Sequence, residues 1–145
     1  MKIIIEESKP GEEDQIIIRC REMNDTILKF ISELKMGQKK LNGMRDGNIA
    51  VIDPSNVYYF ESIDNKVFIY CKQNVYETRA KLYEIENDYK DTDFFRASKS
   101  VILNVRKIKS ISPAYSGRFE ALLFNGEKVV ISRQYVPELK KKLGL

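Results

Sequence analysis

The feature of this sequence that most restricts its fold is a series of short apolar stretches that begins at residue 48. Stretches such as "NIAVI", "VYYFESI", "KVFIYCK" and "KVVIS" are rich in β-branched and aromatic residues, which is typical of strands. Turn-forming pairs separate them: Asp64-Asn65 and Asn125-Gly126 each stand between two such stretches and predict hairpins. Many short antiparallel strands at regular spacing favour a mainly β domain, built as a sandwich or barrel.

Two short helices interrupt this pattern. "KLYEIENDY" places Leu82 and Ile85 on one face, which we expect to point into the core. "VPELKKKLG" predicts a closing helix that ends at Gly144, with lysines at the negative end of its dipole.

The N-terminal part has a different composition. "KIIIEE" and "DQIIIRCRE" predict two strands separated by the turn-rich "SKPGEE", and "NDTILKFISELKMG" predicts a helix capped by Asn24 or Asp25. A linker-like "GQKKLNGMRDG" follows. We therefore expect a small β-β-α extension over residues 1–46, ahead of a β domain over residues 47–145. The apolar stripe of the helix, a docking face for the strands or for a second copy, consists of Ile27, Leu28, Ile31 and Leu34.

The residue inventory argues against an enzyme. The chain has no histidine, which removes the commonest general base and the commonest metal ligand. Cys20 and Cys71 stand alone in apolar surroundings, which favours reduced packing cysteines over a disulfide or a zinc site. No glycine-rich phosphate loop or serine nucleophile motif is visible. We expect no catalytic residues, no metal and no cofactor.

The apolar runs are too short to span a bilayer, and the acidic beginning lacks the apolar segment of a signal peptide. These features predict a cytoplasmic protein without direct membrane insertion. Residues 1–47 are also too few to hold a phosphorylatable receiver domain.

Charge is unevenly distributed along the chain. The whole sequence has a formal net charge of +4, but residues 96–145 hold eleven basic and three acidic side chains, a net of +8. Such asymmetry is expected of a protein that binds a polyanion, although a solvated basic surface would also account for it.

The stretch "FFRASKSVILNVRKIKSI" combines a buried-strand pattern with five basic residues and no acid. Arg96 and Lys99 lie in its polar middle, and Arg106, Lys107 and Lys109 follow the second apolar run. We interpret "RASKS" as a loop that offers its charge to a ligand, and Asn104 as a residue that satisfies backbone groups locally.

Residues 48–144 resemble the LytTR-type DNA-binding domain of bacterial transcription regulators. The resemblance lies in phrases that occur in the family's order: "VYYFESIDNKVFIYCK", "LYEIE", "DFFRASKSVILNVRKIKSI" and "NGEKVVISRQYVPELKKKL". The N-terminal "KIIIEE", "DQIIIRCRE" and "ILKFISELK" are similar to the leader of compact stand-alone LytTR regulators from low-GC Gram-positive bacteria.

The resemblance implies an elongated antiparallel β-sandwich with short helices that sets loops, rather than a recognition helix, into successive DNA major grooves. The matching loops are the turn at Asp64-Asn65, the segment after "FFR", and "SRQY" at the start of the last helix. Together with Arg118 as a phosphate candidate, the expected DNA-binding residues are Asn65, Lys66, Arg96, Lys99, Ser100, Arg118, Ser132, Arg133, Gln134 and Tyr135.

One position departs from the family pattern. Family members typically carry arginine at the second position after the serine of the third loop, where this chain has Gln134 directly after Arg133. Glutamine favours adenine edges and arginine favours guanine, so the base preference stays open between these two residues. Lys66 is also compatible with a solvated turn, Tyr135 with packing, and Arg96 with an ion pair to an acid such as Asp93.

These observations predict a sequence-specific transcriptional regulator that binds double-stranded promoter repeats as a homodimer, with a membrane protein encoded nearby as a possible partner. Two other classes stay open. A single-strand binder would stack bases on aromatics such as Tyr58, Tyr70 or Tyr115. A protein-interaction module would bind no nucleic acid at all.

Overall fold

A computed structural model describes residues 1–38 and 40–145 of the chain. Its α-helices are α1 (Asp25–Gln38), α2 (Leu82–Asp88) and α3 (Val136–Leu143). Its strands are β1 (Leu41–Arg45), β2 (Asn48–Ile52), β3 (Val57–Ile63), β4 (Lys66–Cys71), β5 (Val75–Thr78), β6 (Phe94–Arg96), β7 (Val101–Asn104), β8 (Ile108–Pro113), β9 (Phe119–Leu123) and β10 (Lys128–Ile131).

The strands form two antiparallel sheets. The larger sheet has the order β2-β1-β5-β4-β3-β7-β6, and the smaller one has the order β10-β9-β8. The mainly β class with short helices, predicted from the alternation of apolar runs and turns, is therefore confirmed.

The larger sheet is covered on both faces, because neighbouring residues of its central strands point to opposite sides. Phe60 and Ile102 pack with Leu82 and Ile85 of α2 and with Met36 of α1 on one face. On the other face, the next residue of β7, Leu103, packs against the smaller sheet and α3. This alternation gives three layers and explains why β7 reads as a continuous apolar run.

Both predicted hairpins are present. Asp64 and Asn65 have φ values of 50° and 63°, so the two central residues of the β3–β4 turn are left-handed, as a type I′ turn requires. At the second hairpin, the amide of Leu123 donates to the carbonyl of Glu127 and encloses Asn125-Gly126. The final helix begins at Val136, and the amide of Gly144 closes it on the carbonyls of Lys140 and Lys141.

The prediction for the N-terminal strands is wrong within this chain. Residues 1–24 contain no strand, and a turn at Pro10-Gly11 separates two exposed, unpaired segments. The isoleucine-rich composition is a β signal, but a strand also needs a neighbour for its backbone groups, which the described part of this chain does not supply. The predicted helix α1 is present.

The expected linker is shorter than the sequence suggested. Leu41–Arg45 is β1, which pairs along its full length with β2 and touches β5 through Met44 and Glu77. The larger sheet thus begins before the expected boundary at residue 46, because Asp46-Gly47 is a hairpin turn. Lys39 of the linker lies outside the described residues.

Candidate nucleic-acid interface

The first element of the candidate interface is the β3–β4 turn. Its type I′ geometry fixes the direction in which Asn65 and Lys66 leave the sheet, and both side chains are exposed. Just before the turn, the amide of Ser62 donates to the carbonyl of Ser100 at 2.8 Å. The turn is therefore attached to the loop between β6 and β7.

The second element, residues 97–100, is held by Arg96. The guanidinium of Arg96 donates to the carbonyl of Ser98 at 2.8 Å and to the carbonyl of Lys99 at 2.7 Å, and it pairs with Glu86 of α2 at 3.2 Å. An arginine fork engaged in this way has little left to offer a ligand. Of the two alternatives for Arg96, the ion pair is the one observed, although its partner is Glu86 rather than Asp93.

Lys99 is exposed at the tip of this loop, whereas Ser100 is half-buried. The hydroxyl of Ser98 accepts a hydrogen bond from the amide of Ser100 at 3.3 Å, which helps to close the loop. The backbone of the loop is thus organised before any ligand binds, with one lysine directed outwards.

The third element follows β10. The amide of Ser132 donates to the carbonyl of Ala97 at 2.8 Å, which joins this segment to the second loop. Residues Arg133–Tyr135 form a single 3-10 turn, and the side chain of Ser132 caps neither that turn nor α3. Arg133 and Gln134 are exposed, while Tyr135 is half-buried against the core between the sheets. The packing role considered for Tyr135 is therefore observed.

The loop between β8 and β9 completes the site. Gly117 has φ of +76°, and a Cβ placed there would lie 3.2 Å from the Cδ atom of Arg133. The stem of Arg133 therefore lies across Gly117, and the neighbouring Arg118 is exposed beside it. We call these four segments, residues 64–66, 97–100, 114–118 and 132–135, the loop cluster.

The loop cluster has an uncompensated positive charge. Among the described residues, no ion pair involves any of its exposed cations, whereas six basic residues elsewhere, including Arg96 and Arg106, are paired. The acidic residue within the four segments is Asp64. The exposed cations of the loop cluster are Lys66, Lys99, Arg118 and Arg133.

The other basic residues of the stretch 94–111 have different positions. Arg106 pairs with Glu33 of α1 at 3.0 Å and with Asp93. Lys107 lies over the ring of Tyr58 at 5.1 Å from the centroid, and Lys109 is exposed on β8. Three of the five basic residues of this stretch thus contact other parts of the fold, and Lys99 is the one that the loop cluster exposes.

The aromatics considered as base-stacking platforms are mostly unavailable. Tyr58 is buried. Tyr70 stacks on Tyr59 with a centroid distance of 4.3 Å, and burial raises its pKa above the usual value. Burial and the hydroxyl's hydrogen bond to Glu127 raise the pKa of Tyr59 as well, so both phenols stay neutral donors. Tyr115, in the loop cluster, is 89% exposed.

Two residues of this site escaped the sequence reasoning: Glu86, the partner of Arg96, and Gly117, on which Arg133 rests. Glu86 lies ten positions from Arg96 along the chain, and only the packing of α2 against β6 brings them together. The sequence shows a glycine beside Arg118, but it does not show that the stem of Arg133 lies against that glycine.

Two further observations concern the described residues as a whole. No three His, Cys, Asp or Glu side chains come together there as metal ligands would. None of the helices in that part of the chain has the length and apolar character needed to cross a bilayer.

Comparison with known proteins gives a family match. The model of the LytTr DNA-binding domain matches residues 47–144. Among solved structures, the LytTr DNA-binding domain of a protein described as a methyl-accepting/DNA response regulator from Bacillus cereus superposes with a TM-score of 0.70 at 28% identity. That match covers 75% of this chain and 100% of the solved one.

Curated relatives extend over nearly the whole chain. The sensory transduction proteins LytT of Enterococcus faecalis and Bacillus subtilis are 31% and 28% identical over 141 residues, covering 94% and 95% of this chain. The chain spans only 58% of the length of each of these two relatives. An uncharacterized HTH-type transcriptional regulator of Staphylococcus aureus is 27% identical, with 92% of this chain and 91% of the relative covered.

Proposed function

The chain belongs to the LytTR family of DNA-binding domains, and from this premise we propose that it is a sequence-specific transcriptional regulator that reads duplex DNA through its loop cluster. A DNA-binding regulator is what the family membership itself supports. The loop cluster as the contact surface, the use of the major groove and the cytoplasmic site of action are parts of the proposal.

The observation that carries the proposal is the group of four exposed cations, without ion pairs among the described residues, that four separate chain segments contribute to one surface. Like charges gathered in this way repel one another and give the fold no stability. Their arrangement is favourable when a polyanion binds, since each cation that meets a phosphate releases a condensed counterion.

Within this surface we assign base contacts to Arg133 and Gln134. Both are exposed, and a fork of two donors or a donor–acceptor pair can read a base edge: arginine reads guanine and glutamine reads adenine. Gly117 supports the stem of Arg133, so part of its conformational entropy is already lost before binding. Lys66, Lys99 and Arg118 are better suited to phosphates, which position the protein without specifying sequence.

Two chains on two repeated half-sites complete the proposal. The relatives called sensory transduction proteins and transcriptional regulators support a regulatory role, and for this chain that role is inferred from the likeness.

The test is to titrate the protein into labelled promoter duplexes from its own upstream region and to measure its affinity by fluorescence anisotropy. The same measurement on scrambled duplexes of equal length gives the comparison. Arg133→Ala and Gln134→Ala should each cost about 1–3 kcal/mol on the specific duplex and relax its sequence preference. Lys66→Ala, Lys99→Ala and Arg118→Ala should weaken binding to specific and scrambled duplexes alike. The salt slope, which is the slope of log affinity against log salt concentration, should fall in magnitude by about 0.9 per lost contact.

Lys72→Ala is the matched control. Lys72 is an exposed lysine that follows β4, whereas Lys66 begins the same strand, so the two lie about 20 Å apart at opposite ends. Its replacement should leave affinity and salt slope unchanged. Equal affinity of the wild-type protein for specific and scrambled duplexes would contradict the proposal.

Tyr115 is the reason to include single strands in the competition. Its exposed ring in the loop cluster could stack a base, which is the chemistry of a single-strand binder. Preference for single strands over duplex, lost in Tyr115→Ala, would favour that alternative.

A further inference from the structure

The N-terminal residues leave a large amount of apolar surface uncovered. The six isoleucines of residues 2–7 and 14–19, here called the first arm and the second arm, are between 37% and 91% exposed. In the described stretch 1–23, the one backbone hydrogen bond is donated by Glu12 to the carbonyl of Lys9 at 3.0 Å. Both arms therefore combine strand-forming side chains with unpaired backbone groups, which is the state of a strand that lacks a partner.

The two arms are poor partners for each other, and the first reason is the turn between them. Pro10 and the left-handed Gly11, with φ of 89°, give the turn a type II sequence and geometry. Turns of this type splay the flanking strands, because their twist opposes the right-handed twist of a hairpin.

The second reason is charge. If the chain folded back with Lys9 opposite Glu12, the same register would place Glu7 opposite Asp14 and Lys2 opposite Arg19. Like charges directly across a strand pair are destabilising. The fold-back hairpin is thus disfavoured at both ends of its apolar segment.

Antiparallel pairing of the first arm with its copy in a second chain removes this conflict. With Ile4 opposite Ile4 of the other copy, Ile3 faces Ile5 and Lys2 faces Glu6, and twofold symmetry makes each of the last two contacts twice. Shifting the register by one residue in either direction places a charged residue opposite an isoleucine. The sequence of the arm is therefore complementary to itself in one register.

Such a ribbon would have one apolar face, formed by Ile3 and Ile5 of both copies, and a two-stranded ribbon needs a helix to cover it. A helix with a free apolar surface is next to the second arm. The second arm and α1 enclose an open groove of about 510 Å³ whose apolar lining comes from Ile16, Ile18, Ile31 and Leu34.

We propose that the first arm is a dimerisation strand that pairs antiparallel with the first arm of a second copy of this chain, over the groove beside α1. The helix itself is fixed to the β domain, because Met36 is buried in the core and Glu33 pairs with Arg106. A dimer made in this way would hold two loop clusters at a set separation. This pairing would form the homodimer of the proposed function and rests on it in that respect, but the observations that support the pairing do not depend on DNA binding.

The test measures self-association of the full-length chain without DNA, by sedimentation equilibrium and light scattering. Lys2→Glu and Glu6→Lys each convert two symmetry-related attractions into repulsions, so each should weaken dimerisation about tenfold or more. The double variant Lys2→Glu/Glu6→Lys should restore the wild-type dissociation constant. An equimolar mixture of the two single variants should form heterodimers, because each then offers the charge that the other lacks.

Lys72→Glu is the control for net charge alone, since it makes the same change as Lys2→Glu at an exposed site on the β domain. It should leave the dissociation constant unchanged. A monomeric wild-type protein, single variants that dimerise normally, or a double variant that folds normally but stays weak would each overturn the proposal. If the protein binds specific DNA as a monomer, only the proposed dimerisation strand is overturned. If it forms the dimer but does not bind DNA, only the proposed regulatory function is overturned.

Discussion

At the scale of single residues, Arg96 shows how a basic side chain beside the loop cluster can be engaged within the fold instead of being offered to a ligand. Its guanidinium binds two carbonyls of the loop that carries Lys99, and its third contact is Glu86 of α2. We therefore interpret Arg96 as a positioning residue, which sets the loop through its fork rather than through its charge.

Arg96→Lys separates these two roles, because lysine keeps the charge but cannot hold two carbonyls and a carboxylate in one plane. We expect weaker DNA binding with an unchanged salt slope, measured by anisotropy at several salt concentrations. Wild-type affinity in this variant would show that the hydrogen bonds of the Arg96 guanidinium to the loop are dispensable for binding. A phosphate contact by Arg96 would appear instead as a lower slope in Arg96→Gln.

Gly43 is a second residue whose role depends on its neighbours. A Cβ at this position in β1 would lie 2.6 Å from Cβ of Tyr76 and 2.8 Å from Cδ1 of Ile52. Gly43→Ala should therefore lower the free energy of unfolding by about 1–3 kcal/mol, as other overpacked cores do, measured by urea denaturation. In Gly37→Ala, the new Cβ meets no atom within 4 Å, and the helix should gain about 0.5–1 kcal/mol. Equal stabilities of the two variants would contradict this reading.

At the scale of elements, Asn104 connects the end of β7 to the beginning of β3. Its side chain is buried, donates to the carbonyl of Val57 at 2.9 Å and accepts from the amide of Arg106 at 3.1 Å. The sequence interpretation of Asn104 as a residue that satisfies local backbone groups is confirmed, and the contact with Val57 adds a long-range one.

Asn104→Ala leaves a buried carbonyl and an amide without partners, which should cost about 1–3 kcal/mol of stability in thermal or urea unfolding. Asn125→Ala is the matched control, since Asn125 accepts one bond from the amide of Glu127 in an exposed turn where water can replace it. A smaller loss at position 104 than at position 125 would refute the assignment.

The strands and turns of the β domain show where local reasoning suffices. Asp64-Asn65, Asn125-Gly126 and the alternation in β3, β4 and β10 specify hairpins through contacts between residues close in sequence. The N-terminal arms carry an equally strong β pattern and yet form no strand here. Local propensity describes what a segment can do, whereas pairing needs a second segment of suitable charge and twist.

At the scale of the whole molecule, α1 packs against the β domain, although the residues before it do not. Lys35 pairs with Asp91, Glu33 pairs with Arg106, and Met36 is buried among residues of the larger sheet and α2. The N-terminal part is therefore divided within itself, with exposed arms ahead of a docked helix.

Limited trypsin digestion checks this division. Cleavage should occur first after Arg19 of the exposed second arm and after Arg21, which follows it, while Lys29 and Lys35 of α1 are cut later, as fragment masses would show. Arg106→Ala removes the partner of Glu33 and should speed cleavage within α1. Arg118→Ala, which removes an exposed arginine of the loop cluster, should leave the order unchanged. Simultaneous cleavage of arm and helix in the wild-type protein would mean that α1 is not docked.

The sequence by itself determined the class of fold, the positions of most strands and turns in the β domain, and the family with the binding loops that it implies. These rest on periodicity, turn chemistry and short phrases, all of which act over a few residues. Only the tertiary structure decided which charges are free. Within the part of the chain that the structure describes, Arg96 and Arg106 form ion pairs while Lys99 and Arg133 form none, and Tyr58 is buried while Tyr115 is exposed.

The physical reason is sequence separation. Glu33 and Arg106 lie 73 positions apart, yet they form one ion pair, and Ser132 is joined to Ala97 by a backbone hydrogen bond. Contacts of this kind depend on how sheets and helices pack, and a linear pattern carries no record of which distant segments meet. The loop cluster is therefore predictable as separate loops but becomes a single surface only when the two sheets come together.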